Sequence, residues 1–160
     1  MSRWREVAPP RLDASALRVG IVAARFNRPI VDALLRGALD ALRAMDACED
    51  QCTIVRVPGA LEIPTVAAAM ADRGWDAIVC LGCVIRGDTD HYLHVCRVAM
   101  DGVGRIAARG TVGVGNGILT VNDEAEAWAR AGGVHGNKGA EAAQAAVEVA
   151  LALRALGGAR

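Results

Sequence analysis

Aromatic residues are nearly missing from this 160-residue chain, which has one Phe, one Tyr and three Trp. A lone Phe at a polar loop therefore stands out more than it would elsewhere. An excess of charge of either sign is also missing. Lys plus Arg number 18 and Asp plus Glu number 18, so there is no basic footprint for nucleic acid and no acidic tail. A neutral chain has little colloidal repulsion and suits self-association. No apolar run is long enough to span a bilayer. The N-terminal stretch holds Arg, Glu, Pro9 and Pro10 and lacks the apolar core of a signal peptide. The expected location is the cytoplasm, away from membranes.

Five cysteines, an odd number, stand at positions 48, 52, 80, 83 and 96. Reduced, inert thiols are the expectation. Cys80 and Cys83 have the spacing of a metal or redox pair, but they fall in an apolar run with no second pair suitably placed, so that reading is set aside.

What the chain does have is an alternation of apolar runs and helical patterns. Residues 1–17 read as an N-terminal arm, and 18–160 as a single domain of a size that supports a real core. Strands are expected at Arg18–Ala24, Cys52–Val57, Ala77–Cys83 or slightly beyond, and Thr111–Leu119. Val31, Leu34, Leu35, Ala38, Leu42 and Met45 recur at helical spacing after Pro29. Further helices are expected at Pro64–Arg73, Thr89–Ala108, Asp123–Ala131 and Lys138–Leu156, with a turn at Gly132–Asn137. The order β-α-β-α-β-α-β-α-α predicts an α/β three-layer sandwich around a four-stranded parallel sheet, flavodoxin-like in kind.

Polar residues collect after each strand, on the sheet edge where ligands of such folds sit. Phe26 follows the first strand, either as a stacking surface for a planar ring or as a staple on the next helix. Glu62, after Pro58-Gly59-Ala60-Leu61, either accepts hydrogen bonds from a polyol or is an ordinary first-turn acid. Gly87, Asp88 and Thr89 either offer free N–H groups to an anion or merely cap a helix. His91 follows in the first turn, placing a proton-transfer group beside that loop. His94 is three residues on, but a His91/His94 metal pair lacks the usual spacing and supporting acids. Arg130 and Lys138 flank the glycine turn and, taken singly, read as solvated charges.

Together, four blocks are more specific than any one. They are Arg25-Phe26-Asn27, Val57 to Pro64, Gly82 to His91, and Gly136-Asn137-Lys138-Gly139. In order and spacing they resemble the lumazine synthase family over roughly Arg18 to Leu156. The resemblance implies condensation of 5-amino-6-(D-ribitylamino)uracil with 3,4-dihydroxy-2-butanone 4-phosphate. The product is 6,7-dimethyl-8-ribityllumazine, a step of riboflavin biosynthesis that needs no metal or cofactor.

It implies that Phe26 stacks on the pyrimidine, and that Asn27, Glu62 and the backbone at Ala60 and Leu61 hold the ring and ribityl chain. Val84 and Ile85 line the ring pocket. Gly87, Asp88 and Thr89 meet the phosphate, and His91 shuttles protons. Arg130 and Lys138 reach the phosphate from the adjacent subunit. A homopentamer is therefore implied, with a sixty-subunit icosahedral shell favoured by the short turn from Gly132 to Lys138, and riboflavin synthase as an implied protein partner. Two positions depart from the family pattern. Asn116 stands where many members carry a second aromatic, removing a stacking face from the ring pocket. Cys83 stands where Thr or another small residue is common. The alternative is a non-catalytic flavin- or lumazine-binding or shell-forming protein of the same fold. A riboflavin synthase on this fold is the rival enzyme.

Overall fold

The computed structural model describes residues 3–7 and 11–157; Pro9 and Pro10 lie outside them. Four strands form one parallel sheet: β1 (Val19–Ala24), β2 (Cys52–Val57), β3 (Ala77–Ile85) and β4 (Gly113–Val121). Their order is β2-β1-β3-β4, so the chain reverses direction of travel across the sheet between β2 and β3. That is the flavodoxin-like order, and its crevice lies at the carboxyl ends of the strands near the switch. Helices cover both faces: α1 (Arg28–Ala44), α2 (Ile63–Asp72), α3 (His91–Ala107), α4 (Glu124–Arg130) and α5 (Lys138–Gly157). The expected three-layer sandwich is what the chain adopts.

Burial follows the pleat. In β1, Val19, Ile21 and Ala23 enter the layer shared with α1 and α5, while Val22 and Ala24 enter the layer shared with α2 and α3. β3 divides likewise, with Val79 and Leu81 on one side and Ile78 and Cys80 on the other. A strand buried on both faces must be apolar throughout, which is why β1 and β3 read as unbroken runs. Ala14 and Leu17 are also fully buried and join the α1 layer, so the arm is tied into the core from Ala14 onward.

The remaining differences from expectation are local. β4 begins and ends two residues later than its pattern suggested. A Cβ on Gly113 or Gly115 would run into the backbone carbonyls of Ala146 and Ala142 on α5. The glycines permit that close approach of helix to sheet, and they also remove the side-chain period that would have marked the strand. α3 begins at His91 rather than Thr89. The turn at Gly132–Asn137 is a small antiparallel pair, β5 (Ala131–Gly133) with β6 (Gly136–Asn137). Asn137 then caps α5. Its Oδ1 accepts from Gly139 and Ala140 N–H at 2.8 and 3.1 Å, and its amide donates to Ala33 C=O of α1 at 3.0 Å.

Candidate active site

The carboxyl ends of β1, β2 and β3 open onto a cavity of about 400 Å³. That volume lies in the usual range for small-molecule sites, about 300–1,000 Å³. β1 ends in Arg25 and Phe26, whose N–H groups continue the ladder to Val57 and Pro58 carbonyls at 2.8 and 3.0 Å. Phe26 lines the cavity and is 71% exposed, so it does not staple α1; its ring face is open. Asn27 adopts a left-handed conformation (φ 56°) as α1 begins. Its Nδ2 donates to the Cys83 carbonyl at 2.9 Å, tying the end of β1 to the end of β3. Asn27 thus stands behind the cavity wall, not among the lining residues.

After β2 the chain turns through Pro58 and Gly59 into a 3-10 turn, Ala60–Glu62. Gly59, Ala60, Leu61 and Glu62 all line the cavity. Glu62 Oε2 accepts the Gly59 N–H at 3.0 Å and closes the turn. Its Oε1 has no partner among the described residues and is available to a hydroxyl. Behind this wall, Asp32 accepts from Arg56 Nη2 at 2.5 Å and from Arg28 Nε at 3.4 Å. Burial acts to raise the Asp32 pKa, but the two guanidiniums outweigh it and hold the carboxyl below its ordinary value.

β3 supplies Cys83, Val84 and Ile85 to the apolar floor. Gly87, Thr89 and His91 form the rim, while Asp88 is exposed and outside the lining. The N–H groups of Gly87, Asp88 and Thr89 donate to nothing among the described residues. Nothing stands within 4 Å of a Cβ built on Gly87, so the loop is open to an approaching anion. Thr89 Oγ1 accepts the His91 N–H at 3.3 Å. His91 is the first residue of α3 and exposed to the cavity mouth.

Burial pushes the Cys83 thiol up to about 11, with the Glu124 charge adding to it, and burial alone pushes the Cys80 thiol to about 12. Both are protonated, unreactive thiols at neutral pH. No group of three or more His, Cys, Asp or Glu converges for a metal among the described residues.

Four lining residues were not assigned to the site from sequence: Gly59 and Cys83, which fall inside the resembling blocks, and Tyr92 and Val95, which fall outside them. A signal existed. Tyr92 is the only tyrosine, adjacent to His91, and Val95 lies one turn on. Burial, with Cys96 nearby, raises the Tyr92 pKa.

Three expected residues lie elsewhere. Asn116, Arg130 and Lys138 meet around a second hollow of about 210 Å³, with Gly117 to Val121 of β4. Asn116 accepts the Ile118 N–H through Oδ1 at 3.1 Å and directs Nδ2 at Met100 Sδ, 3.1 Å away. Arg130 donates one N–H to the Glu126 carbonyl at 3.0 Å, and Lys138 Nζ meets Glu141 at 2.6 Å. Within one chain, therefore, the aromatic, carboxylate and histidine occupy one cavity. The cations occupy another.

A parallel α/β sheet that gathers a stacking ring, a free carboxylate oxygen, open loop N–H groups and a histidine at its strand ends is built for small-molecule chemistry. Comparison with known proteins narrows that class. Residues 16–154 match the 6,7-dimethyl-8-ribityllumazine synthase family. A protein of that name from Kineococcus radiotolerans is 49% identical over 145 residues, covering 89% of each chain. The chain belongs to the 6,7-dimethyl-8-ribityllumazine synthase family, transferases of riboflavin biosynthesis. No helix among the described residues is long and apolar enough to cross a membrane.

Proposed function

We propose that this protein condenses 5-amino-6-(D-ribitylamino)uracil with 3,4-dihydroxy-2-butanone 4-phosphate to 6,7-dimethyl-8-ribityllumazine, releasing phosphate and water. One observation carries the reading. A single 400 Å³ cavity holds Phe26, Glu62, the loop at Gly87 and Thr89, and His91, in a chain of this family.

The residues divide the work by chemistry. Phe26 offers a face to the pyrimidine ring over the floor of Val84 and Ile85. Glu62 Oε1, with the backbone at Ala60 and Leu61, takes the hydroxyls of the ribityl chain. Asn27 holds the Cys83 carbonyl with its amide nitrogen and so fixes the ring pocket from behind its wall. The ring amine attacks the ketone, and loss of water gives an imine. Proton loss beside the imine expels phosphate and leaves, after tautomerisation, a carbonyl that the second amine attacks, closing the ring with loss of a second water. His91 receives and returns protons through these steps, which suits a group that titrates near neutral pH. The N–H groups of Gly87, Asp88 and Thr89 hold the phosphate as it departs. Much of the acceleration comes from holding two reactants together.

Arg130 and Lys138 complete the phosphate site from the neighbouring subunit, which accounts for their gathering in a hollow of their own. Asn116 lies in that hollow too and presents a polar edge instead of a ring. A site shared in this way needs a closed ring of subunits, read here as a pentamer. The compact segment from Gly132 to Lys138 favours assembly into a sixty-subunit shell, with riboflavin synthase as partner. The protein works in the cytoplasm, as a single domain from residue 18 preceded by an arm.

Incubation with the ribitylaminouracil alone, with both substrates, and with lumazine alone tests the reading. Lumazine absorbance that requires both substrates supports it. Riboflavin formed from lumazine alone replaces it with the rival synthase, and binding without product replaces it with the non-catalytic alternative.

A further inference from the structure

The loop of free N–H groups, Gly87 to Thr89, is exposed along its length and has little to hold its shape. Its anchor is Arg86. The Arg86 N–H donates to the Val121 carbonyl at 2.9 Å. Its Nε donates to Asn122 Oδ1 at 3.2 Å. Its guanidinium carbon lies 4.7 Å from the centroid of the Tyr92 ring, within cation–π range. The far side of this bracket is also held. Asn122 donates its N–H to Glu126 Oε2 at 2.8 Å, and Arg130 donates to the carbonyl of that same Glu126 at 3.0 Å. The path from the phosphate loop to the Arg130 helix is thus Arg86, Asn122, Glu126, Arg130.

We infer that Arg86 is a positioning residue that sets the phosphate loop against α4 by bridging Tyr92 and Asn122. The inference rests on the reading of Gly87–Thr89 and Arg130 as phosphate-binding groups. The guanidinium commits its Nε–H to Asn122 and one face to the Tyr92 ring, and these two contacts fix its plane. In one chain it joins the loop that serves that chain's own site to the helix whose arginine serves the next. A planar fork that hydrogen-bonds along one edge and stacks on one face is a task Lys does not perform.

Steady-state kinetics of the assembled full-length protein test this, with R86A, R86K and N122A. Loss of one such contact corresponds to about a three- to tenfold change. The KM for butanone phosphate should rise by that factor in R86A and R86K. Inhibition by inorganic phosphate should weaken in parallel. The KM for the ribitylaminouracil should rise less than that for butanone phosphate, since of its cavity wall only Tyr92 loses a contact. N122A should reproduce the effect, and R86A/N122A should be no worse than R86A alone. Full rescue by R86K makes Arg86 a simple charge and overturns the bracket, as does strict additivity of the double variant. Should R86A fail to assemble, R86K and N122A carry the same test. A wild-type protein that forms no product defeats the functional reading itself. An active wild type with unmoved phosphate dependence in all three variants defeats only this inference.

Discussion

Asn27 joins the sheet to the site, and its replacement separates two physical effects. The residue sits at φ 56° and donates Nδ2 to the Cys83 carbonyl at 2.9 Å. Asn27→Gly keeps the left-handed backbone at no steric cost but loses the hydrogen bond, worth about 1 kcal/mol. Asn27→Ala loses the same bond and keeps a Cβ in the left-handed region, as Asn does, so it retains the strain of about 1–2 kcal/mol that Gly sheds. The expected destabilisation is therefore about 1 kcal/mol for Ala, and about 1–2 kcal/mol less than that for Gly, which comes out neutral or slightly stabilising. Urea unfolding at one fixed protomer concentration reads both, because assembly contributes to apparent stability. The tie holds the end of β1, where Phe26 stands, to the end of β3, where Val84 and Ile85 line the same cavity, so both variants should raise the KM of the ribitylaminouracil more than that of the butanone phosphate. Equal destabilisation by Gly and Ala would show that the backbone conformation carries no strain. No loss in Ala would show that the bond to Cys83 does not hold β1 to β3.

His91→Ala should slow condensation by about a hundredfold, the low end for loss of one proton shuttle, because positioning and phosphate binding survive. Complete inactivation with intact substrate binding contradicts that. Asn116→Phe restores a stacking face and should tighten binding of a pyrimidine or flavin analogue; calorimetry showing weaker binding by a folded variant counts against it. In the native protein Cys80 and Cys83 should resist a thiol reagent at pH 8 while exposed Cys48 reacts, since burial holds the first two near 12 and 11. The unfolded thiols deprotonate near 9 and the folded ones do not, so the unfolded state binds fewer protons there and stability falls as pH rises from 9 toward 11.

The parts of the fold legible in the sequence are those in which burial writes a period. β1, β2 and β3 start where their apolar runs start, to within a residue. α1 shows its helical face because Val31, Leu34, Leu35, Ala38 and Leu42 all pack inward. β4 is blurred because Gly113, Gly115 and Gly117 carry no side chain to alternate. The pair β5–β6 is too short, at three and two residues, to show a period of two.

At the site, Phe26, Glu62 and His91 stand out locally as polar or aromatic breaks after strands. The tie from Asn27 to Cys83 spans 56 positions and leaves no local mark. Tyr92 was hidden by its place in a helix that the pattern treats as packing. The placing of Asn116, Arg130 and Lys138 in a hollow apart from the Phe26 cavity is a property of the folded chain and has no trace in spacing alone. Asp88 carries a related lesson. A side chain beside a functional backbone N–H need not line the cavity.

The central claim is that one working site needs the His91 cavity of one subunit and the Arg130 hollow of the next. Subunit mixing tests it most directly. His91→Ala and Arg130→Ala proteins are each prepared in defective form, unfolded together, and reassembled. In a ring, some interfaces then pair an intact His91 with an intact Arg130, and lumazine formation should rise well above that of either variant reassembled alone. A mixture no more active than the average of its two components would place His91 and Arg130 of each site in the same chain and contradict the account.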